Sequence, residues 1–207
     1  MTAELAGQVV EPLVLRGQAV IARGAATGTI VLSSQVDKTK SFIVASFISE
    51  SIYPNRSLAR WSLDAAGTQI TFTRNTAEAA SSDTIEYQVI THPDISVQHY
   101  ENIALGNGTA VINQAITAID QTNSFVLTSV TSANTNNGDM HDSYCTAYFT
   151  SNTNVRFARG STSTVGNHTL NLQVVSWKGA RVQTGEATLA NGAGSTTAAI
   201  SPVEPSN

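Results

Sequence analysis

The amino-acid sequence predicts an all-β protein made of two tandem antiparallel β-sandwich domains, with extra strands at both termini. Three observations predict this fold class. A unit of roughly 85 residues occurs twice in order and begins a third time. Turn residues divide each copy into runs of strand length. The composition of the whole chain suits strands and turns better than helices.

The composition also excludes two kinds of partner. Ser, Thr and Asn supply 63 of the 207 residues, and charged residues supply only 13%, against about 25% in an average soluble protein. The net charge of -4 and the 11 basic residues argue against a surface that follows nucleic-acid phosphates. No apolar run approaches the roughly 20 residues needed to span a bilayer. We therefore expect neither nucleic-acid binding nor membrane insertion.

The two copies match at nearly constant spacing. The matched segments are SFIVASF at 41–47 with SFVLTSV at 124–130, ITFTR at 70–74 with VRFAR at 155–159, and YQVITH at 87–92 with LQVVSW at 172–177. Because the matches keep their order, we interpret them as an internal duplication.

The duplication predicts four parts of the chain. An extended N-terminal segment occupies residues 1–13, and the first sandwich repeat occupies residues 14–95. The second repeat follows at residues 96–180. Residues 181–207 form a partial third repeat with two strands and a tail, in RVQTGEATLA and GSTTAAIS.

Each repeat is predicted to consist of strands. The first copy contains TIVLS, SFIVASFIS, ARWSL, QITFTR and TIEYQVIT, and the second contains SFVLTSV, YCTAYF, NVRFAR and HTLNLQVVSW. Several of these runs alternate; Ile70 and Phe72, for example, share one face of their strand. We expect Phe42 to superpose on Phe125 and Phe72 on Phe157, with all four rings buried between the sheets.

One combination of motifs resembles a known family. A Gly-Thr pair opens an alternating strand, the motif D-x-x-K-S-F follows at 37–42, and an ITFTR strand precedes a closing QVI or QVV strand. This pattern resembles a β-sandwich repeat of structural proteins in tailed bacteriophage virions. The resemblance covers most of residues 14–180. It implies a fibre, capsid-decoration, neck or baseplate protein located in the virion, and it implies no catalytic residues.

One loop collects the candidate binding residues. Asp139, His141 and Asp142 lie in the polar segment TSANTNNGDMHDS at 131–143, where two carboxylates and an imidazole could bind a divalent cation. The spacing of an EF-hand is missing, so we expect a solvated loop tip and assign no metal site. Tyr144 directly follows the loop and could offer its ring to a sugar.

We expect no catalytic, cofactor-binding or metal site. His92, His99 and His168 lack the spacing of metal ligands. His99 falls at the linker between the repeats, where an interface role is open and an exposed surface role is favoured. Cys145 aligns with Arg60 and is predicted to be a half-buried thiol. No nucleophile elbow, phosphate-binding glycine loop or dinucleotide-binding turn occurs. The sequence therefore predicts a protein that is not an enzyme and needs no cofactor.

Two pairs of large side chains suggest structural roles. Arg74 and Arg159 end the same strand in both copies. We therefore expect the aliphatic part of each side chain to cover an apolar edge and the guanidinium group to cap backbone carbonyls. Trp61 and Trp177 do not repeat. An interface, a sugar-stacking surface and core filling all remain open for these two rings.

The leading functional hypothesis is a virion structural protein that forms homo-oligomers and contacts other virion proteins. The alternative is a receptor- or carbohydrate-binding module whose partner is a host-surface glycan. The terminal segments bear on assembly, because apolar residues such as Val182, Leu189 and Ile200 alternate there without a complete repeat. We expect these segments to complete sheets by strand addition, on their own domains or on a neighbouring subunit.

Overall fold

The computed structural model describes residues 10–49, 58–74, 81–132, 144–159, 166–185, 187 and 194–202. Within these residues there are two 3₁₀ turns and twelve β-strands, and the strands form four three-stranded antiparallel sheets. The strands of the first half are β1 (Leu13–Ile21), β2 (Thr27–Val31), β3 (Ser41–Ser49), β4 (Ala59–Leu63), β5 (Gln69–Arg74) and β6 (Asp83–Thr91). Those of the second half are β7 (Ile95–Leu105), β8 (Val111–Ala115), β9 (Ser124–Ser132), β10 (Cys145–Ser151), β11 (Asn154–Arg159) and β12 (His168–Trp177).

The two halves have the same strand order. The first half contains the sheets β1-β6-β3 and β2-β5-β4, and the second half contains β7-β12-β9 and β8-β11-β10. Each pair of sheets encloses an apolar core, as the alternation of inward and outward residues requires. The protein is thus all-β and sandwich-like, as predicted. The duplication that we infer from the sequence stays a prediction.

The repeated D-x-x-x-S-F segments begin β3 and β9 in the same way. Asp37 accepts hydrogen bonds from the backbone N–H and the hydroxyl of Thr39 at 2.8 and 2.7 Å, and the Ser41 hydroxyl donates to the Asp37 carbonyl at 2.6 Å. The same three bonds join Asp120, Thr122 and Ser124 in the second half. These bonds close a 3₁₀ turn immediately before each strand, which explains why the motif repeats.

The strand register corrects one alignment made from the sequence. Ala59 pairs with Arg74, and Cys145 pairs with Arg159. Because the two arginines are equivalent, the counterpart of Cys145 is Ala59, and its alignment with Arg60 is wrong by one residue. Such a slip exchanges the two faces of a strand, and Cys145 accordingly packs against the core of the second half.

The prediction for the four phenylalanine rings is partly wrong. Phe72 and Phe157 are fully buried in the two cores. Phe42 and Phe125 instead contact each other between the halves, edge to face, with ring centroids 5.6 Å apart. Phe42 is buried, but Phe125 is only partly buried. SFIVASF and SFVLTSV are apolar on both faces, so alternation could not show which face each ring uses.

The described residues of the C-terminal segment are not in strands, whereas Leu13 of the N-terminal segment begins β1, which pairs with β6. No strand occurs at residues 181–185, 187 and 194–202. This differs from the two strands that the sequence predicts for residues 181–207. Gln183 nevertheless bonds both the N–H and the C=O of Ser201, at 2.6 and 3.0 Å. Gln98 bonds Thr117 in the same manner, at 2.8 and 3.0 Å. Strand addition by the termini stays a prediction.

Candidate functional site

The two halves meet along a surface that we call the joint. One face of the sheet β7-β12-β9 packs against β3 and β4, which are edge strands of the two sheets of the first half. Side chains alternate along β12, so Leu172 and Val174 enter the core of the second half, whereas Gln173 and Val175 face the joint. The joint thus joins a sheet face of one sandwich to the strand edges of the other.

Gln173 closes the free edge of β3. Its side-chain carbonyl accepts the backbone N–H of Ile43 at 2.8 Å, and its amide group donates to the Ile43 carbonyl at 3.0 Å. Both bonds are buried, and Gln173 is only 6% exposed. The amide therefore replaces the neighbouring strand that an edge residue lacks, which satisfies two backbone groups that would otherwise be buried without a partner.

Two more side chains close the edge of β4 in the same way. The backbone N–H of Trp61 donates to the Ser129 hydroxyl at 3.2 Å, and Asn171 donates its amide N–H to the Trp61 carbonyl at 2.9 Å. Asn171 also accepts the N–H of Asn102 at 2.9 Å. The Trp61 ring packs partly buried against the first core, so of the roles left open for it, core filling is the one observed.

The centre of the joint is apolar. Phe42, Ile95, Val97 and Val175 are buried there, and Phe125, Leu127 and Trp177 pack around them. The Trp177 ring lies 5.7 Å from the ring of His92, its counterpart in the first half. Burying a large apolar side chain contributes about 1.5–3 kcal/mol, so this cluster supplies much of the attraction between the halves.

Polar contacts surround the apolar centre. The Lys38 ammonium group lies 2.9 Å from Glu101 and donates to the Leu63 carbonyl at 2.6 Å. His99 contacts the Lys38 carbonyl through Nε2 at 2.9 Å. Burial lowers the pKa of His99 because it disfavours the charged imidazolium. Of the two roles open for His99, the interface role is therefore the one observed, since the side chain belongs to the joint, and the favoured exposed role is wrong.

Arg74 has the structural role predicted for it and a partner that the sequence did not reveal. Its guanidinium group donates to the carbonyls of Ala25 at 2.8 Å and Ala22 at 3.1 Å. It also forms an ion pair of 2.8 Å with Asp83, and both side chains are completely buried. Asp83 is the first residue of β6, and nothing in its sequence context indicates this partner.

Arg159 occupies the same position in the second half with different surroundings. It donates to the carbonyls of Gly106 at 3.2 Å and Gly166 at 3.4 Å. The residue equivalent to the buried aspartate is His168, which is itself buried. Both arginines thus cap carbonyls as predicted, although only the first does so beside a buried carboxylate.

Cys145 is partly buried, as predicted. Burial raises the pKa of its thiol to about 11, so the side chain stays protonated near neutral pH. Since the thiolate is the nucleophilic form of cysteine, this environment suits a packing role.

The candidate loop residues Asp139, His141 and Asp142 lie outside the described residues. Among the residues that are described, no group of three or more His, Cys, Asp or Glu side chains could hold a metal ion. Tyr144, directly before β10, is 54% exposed, and Tyr148, within β10, is 46% exposed. In the part of the chain with described structure, no helix has the length and apolar character needed to cross a membrane.

No family model, no curated protein and no solved structure matches the chain.

Proposed function

We propose that the chain is a non-enzymatic structural component of a bacteriophage virion, of the fibre, capsid-decoration, neck or baseplate type. It acts through homo-oligomeric assembly and through contacts with other virion proteins. The resemblance of the repeats to tailed-phage sandwich domains supports the location. The construction of the joint supports the mode of action.

The joint is the observation that carries this proposal. A bidentate amide on Ile43, two caps on Trp61 and a buried apolar cluster hold the halves in one relative orientation. Interfaces between independent domains of one chain are usually more polar than obligate interfaces, and they permit the domains to move relative to each other. A fixed orientation is what a particle component needs, because each unit must place the next one accurately.

The location can be tested on purified particles. Tailed phages produced by a host that encodes the chain are banded by density, digested and analysed by mass spectrometry, and intact particles are labelled with gold-coupled antibody. We expect the chain to copurify in fixed proportion to the major capsid protein, with label at one part of the particle. Its presence in the lysate but not in banded particles would contradict the proposal.

A carbohydrate-binding module is the second candidate, because two exposed rings lie close together, one on β10 and one directly before it. Tyr144 and Tyr148 are four positions apart, or about 13 Å in an extended chain, a spacing that suits stacking on an extended glycan. A glycan array separates this candidate from the first. Binding should disappear in Tyr148→Ser and persist in Val31→Ser, which changes an exposed residue on β2.

A further inference from the structure

The first half contains the same sheet face that forms the joint in the second half. Phe42 and Ile90 at one end of this face belong to the joint, and beyond them none of the described residues covers it. The registers of β3 with β6 and of β9 with β12 make Ser46, Glu86 and Gln88 the counterparts of Ser129, Asn171 and Gln173. The three side chains in the second half are buried, and the three in the first half are exposed. We call this outward surface of β1-β6-β3 the open face.

The open face has the features of an interface. Val20 and Val44 on it are 52% and 41% exposed, and Val44 is the counterpart of Leu127, which packs in the joint. A depression of about 190 Å³ on this face is bordered by Arg16, Val44, Ser46, Glu86 and Gln88, among others. Apolar side chains surrounded by polar ones around a depression are typical of a surface that binds another protein.

The second half contains the matching strand edge. Val126 occupies the position of Ile43, and Ala147 occupies that of Trp61. The N–H and C=O of Ile43 bond to a side chain across the joint, so the same groups of Val126 point away from β12. We call the edge formed by β9 and β10 the open edge.

Burial indicates that this edge is less covered than the one in the joint. Ile43 and Leu63 of the first half are each 1% exposed. Their counterparts Val126 and Phe149 are only partly buried. An edge strand with unpaired backbone groups readily accepts a partner that supplies hydrogen bonds.

We infer that the open face of one chain binds the open edge of a second copy and repeats the joint between chains. The amide of Gln88 bonds the N–H and C=O of Val126, and Ser46 accepts the N–H of Ala147. Such a contact is heterologous, so each chain keeps one free face and one free edge and the assembly grows head to tail. This inference rests on the assembly function proposed above and names its contact surfaces.

Only one of the three capping side chains differs between the halves, with Glu86 at the position of Asn171, and this difference is compatible with the contact. Asn171 donates to a backbone carbonyl in the joint, whereas a carboxylate at position 86 cannot donate. Gln18 lies beside it and donates to Glu86 at 2.7 Å. The second amide hydrogen of Gln18 can supply the bond to the Ala147 carbonyl.

Two variants block the two surfaces separately. Val44→Arg places a long cation on the open face at a residue that solvent already reaches, and Ala147→Pro removes the outward N–H of the open edge. Val31→Arg is the matched control, because Val31 is 75% exposed on a different sheet. Unchanged thermal unfolding of each variant at low concentration shows that it folds.

The masses of these proteins are measured by light scattering over a concentration series. Wild type and Val31→Arg should exceed the mass of one chain as concentration rises, and Val44→Arg and Ala147→Pro should each stay at that mass. An equimolar mixture of the two blocked variants should form a one-to-one dimer, through the intact edge of one and the intact face of the other. Gln88→Ala should weaken association about tenfold, the effect of roughly 1.4 kcal/mol of lost hydrogen bonding.

Three results would overturn the inference. In the first, Val44→Arg associates as strongly as wild type. In the second, the mixture of Val44→Arg and Ala147→Pro stays at the mass of one chain. In the third, the wild type never exceeds that mass. None of them decides the proposed function, because particle labelling tests it independently. Presence in particles together with any of these results would leave a virion protein that assembles through another surface.

Discussion

Replacing Gln173 by alanine should destabilise the protein strongly, because this side chain closes a backbone edge. The substitution leaves the N–H and the C=O of Ile43 without the partners that they have at 2.8 and 3.0 Å. Each buried polar group left unsatisfied costs about 1–3 kcal/mol. For two such groups we expect a loss of about 2–6 kcal/mol in the free energy of unfolding. The melting temperature should fall by about 4–24 °C, at the rate of about 2–4 °C per kcal/mol typical of chains this long.

Two comparison variants separate hydrogen bonding from packing. Gln173→Met keeps most of the volume of the side chain but neither bond, so it should recover only a small part of the loss. Gln88→Ala removes the equivalent exposed side chain. At a concentration where the chain is monomeric, it should change stability by less than about 0.5 kcal/mol.

The assay is urea denaturation followed by tryptophan fluorescence, with calorimetry for the melting temperature. Trp177 lies in the joint and Trp61 at its border, so the signal reports on this region. If Gln173→Ala were no less stable than Gln88→Ala, or if Gln173→Met were as stable as wild type, the hydrogen-bond account of the joint would be refuted.

Three further predictions concern other residues. Because burial lowers the pKa of His99 in the folded state, the unfolded state binds more protons than the folded state below about pH 6.5. Stability should therefore fall as the pH drops through and below that value, and a pH series of melting temperatures should show a smaller fall for His99→Gln. Arg74→Met breaks a buried ion pair and should cost about 3–5 kcal/mol in urea denaturation, more than Arg159→Met; equal costs would contradict a role for that pair. Gly67 has φ +68°, and a Cβ there would lie 1.7 Å from a backbone oxygen, whereas Gly108 has φ +73° and open space. In calorimetry Gly67→Ala should thus lower the melting temperature several times more than Gly108→Ala, and similar effects would show that the close approach does not matter.

The sequence predicted the strands well because their signals are local. QITFTR and NVRFAR have the alternation and bounding turns of half-buried strands, and β5 and β11 begin and end within one residue of these segments. The equivalence of Arg74 and Arg159 was likewise visible, since both residues end the same motif.

The joint could not be predicted, because its contacts join residues far apart in the chain. Gln173 and Ile43 are separated by 130 positions, and each looks ordinary in its own strand. One signal was nevertheless present, because Gln88 and Gln173 recur at equivalent positions of apolar strands. A glutamine can be buried in such a strand only if its amide has a hydrogen-bond partner. The alignment of Cys145 with Arg60 is wrong because the turn from β4 to β5 is one residue longer than the turn from β10 to β11, and a local match cannot fix the register across such a difference.

An electron cryo-microscopy map of the assembled chain would show which surfaces join neighbouring chains. We expect neighbouring chains to repeat the joint, with the Gln88 amide bonded to the backbone of Val126 in the next chain. Neighbours that meet through two open faces, or through the surface of Tyr144 and Tyr148, would contradict this expectation.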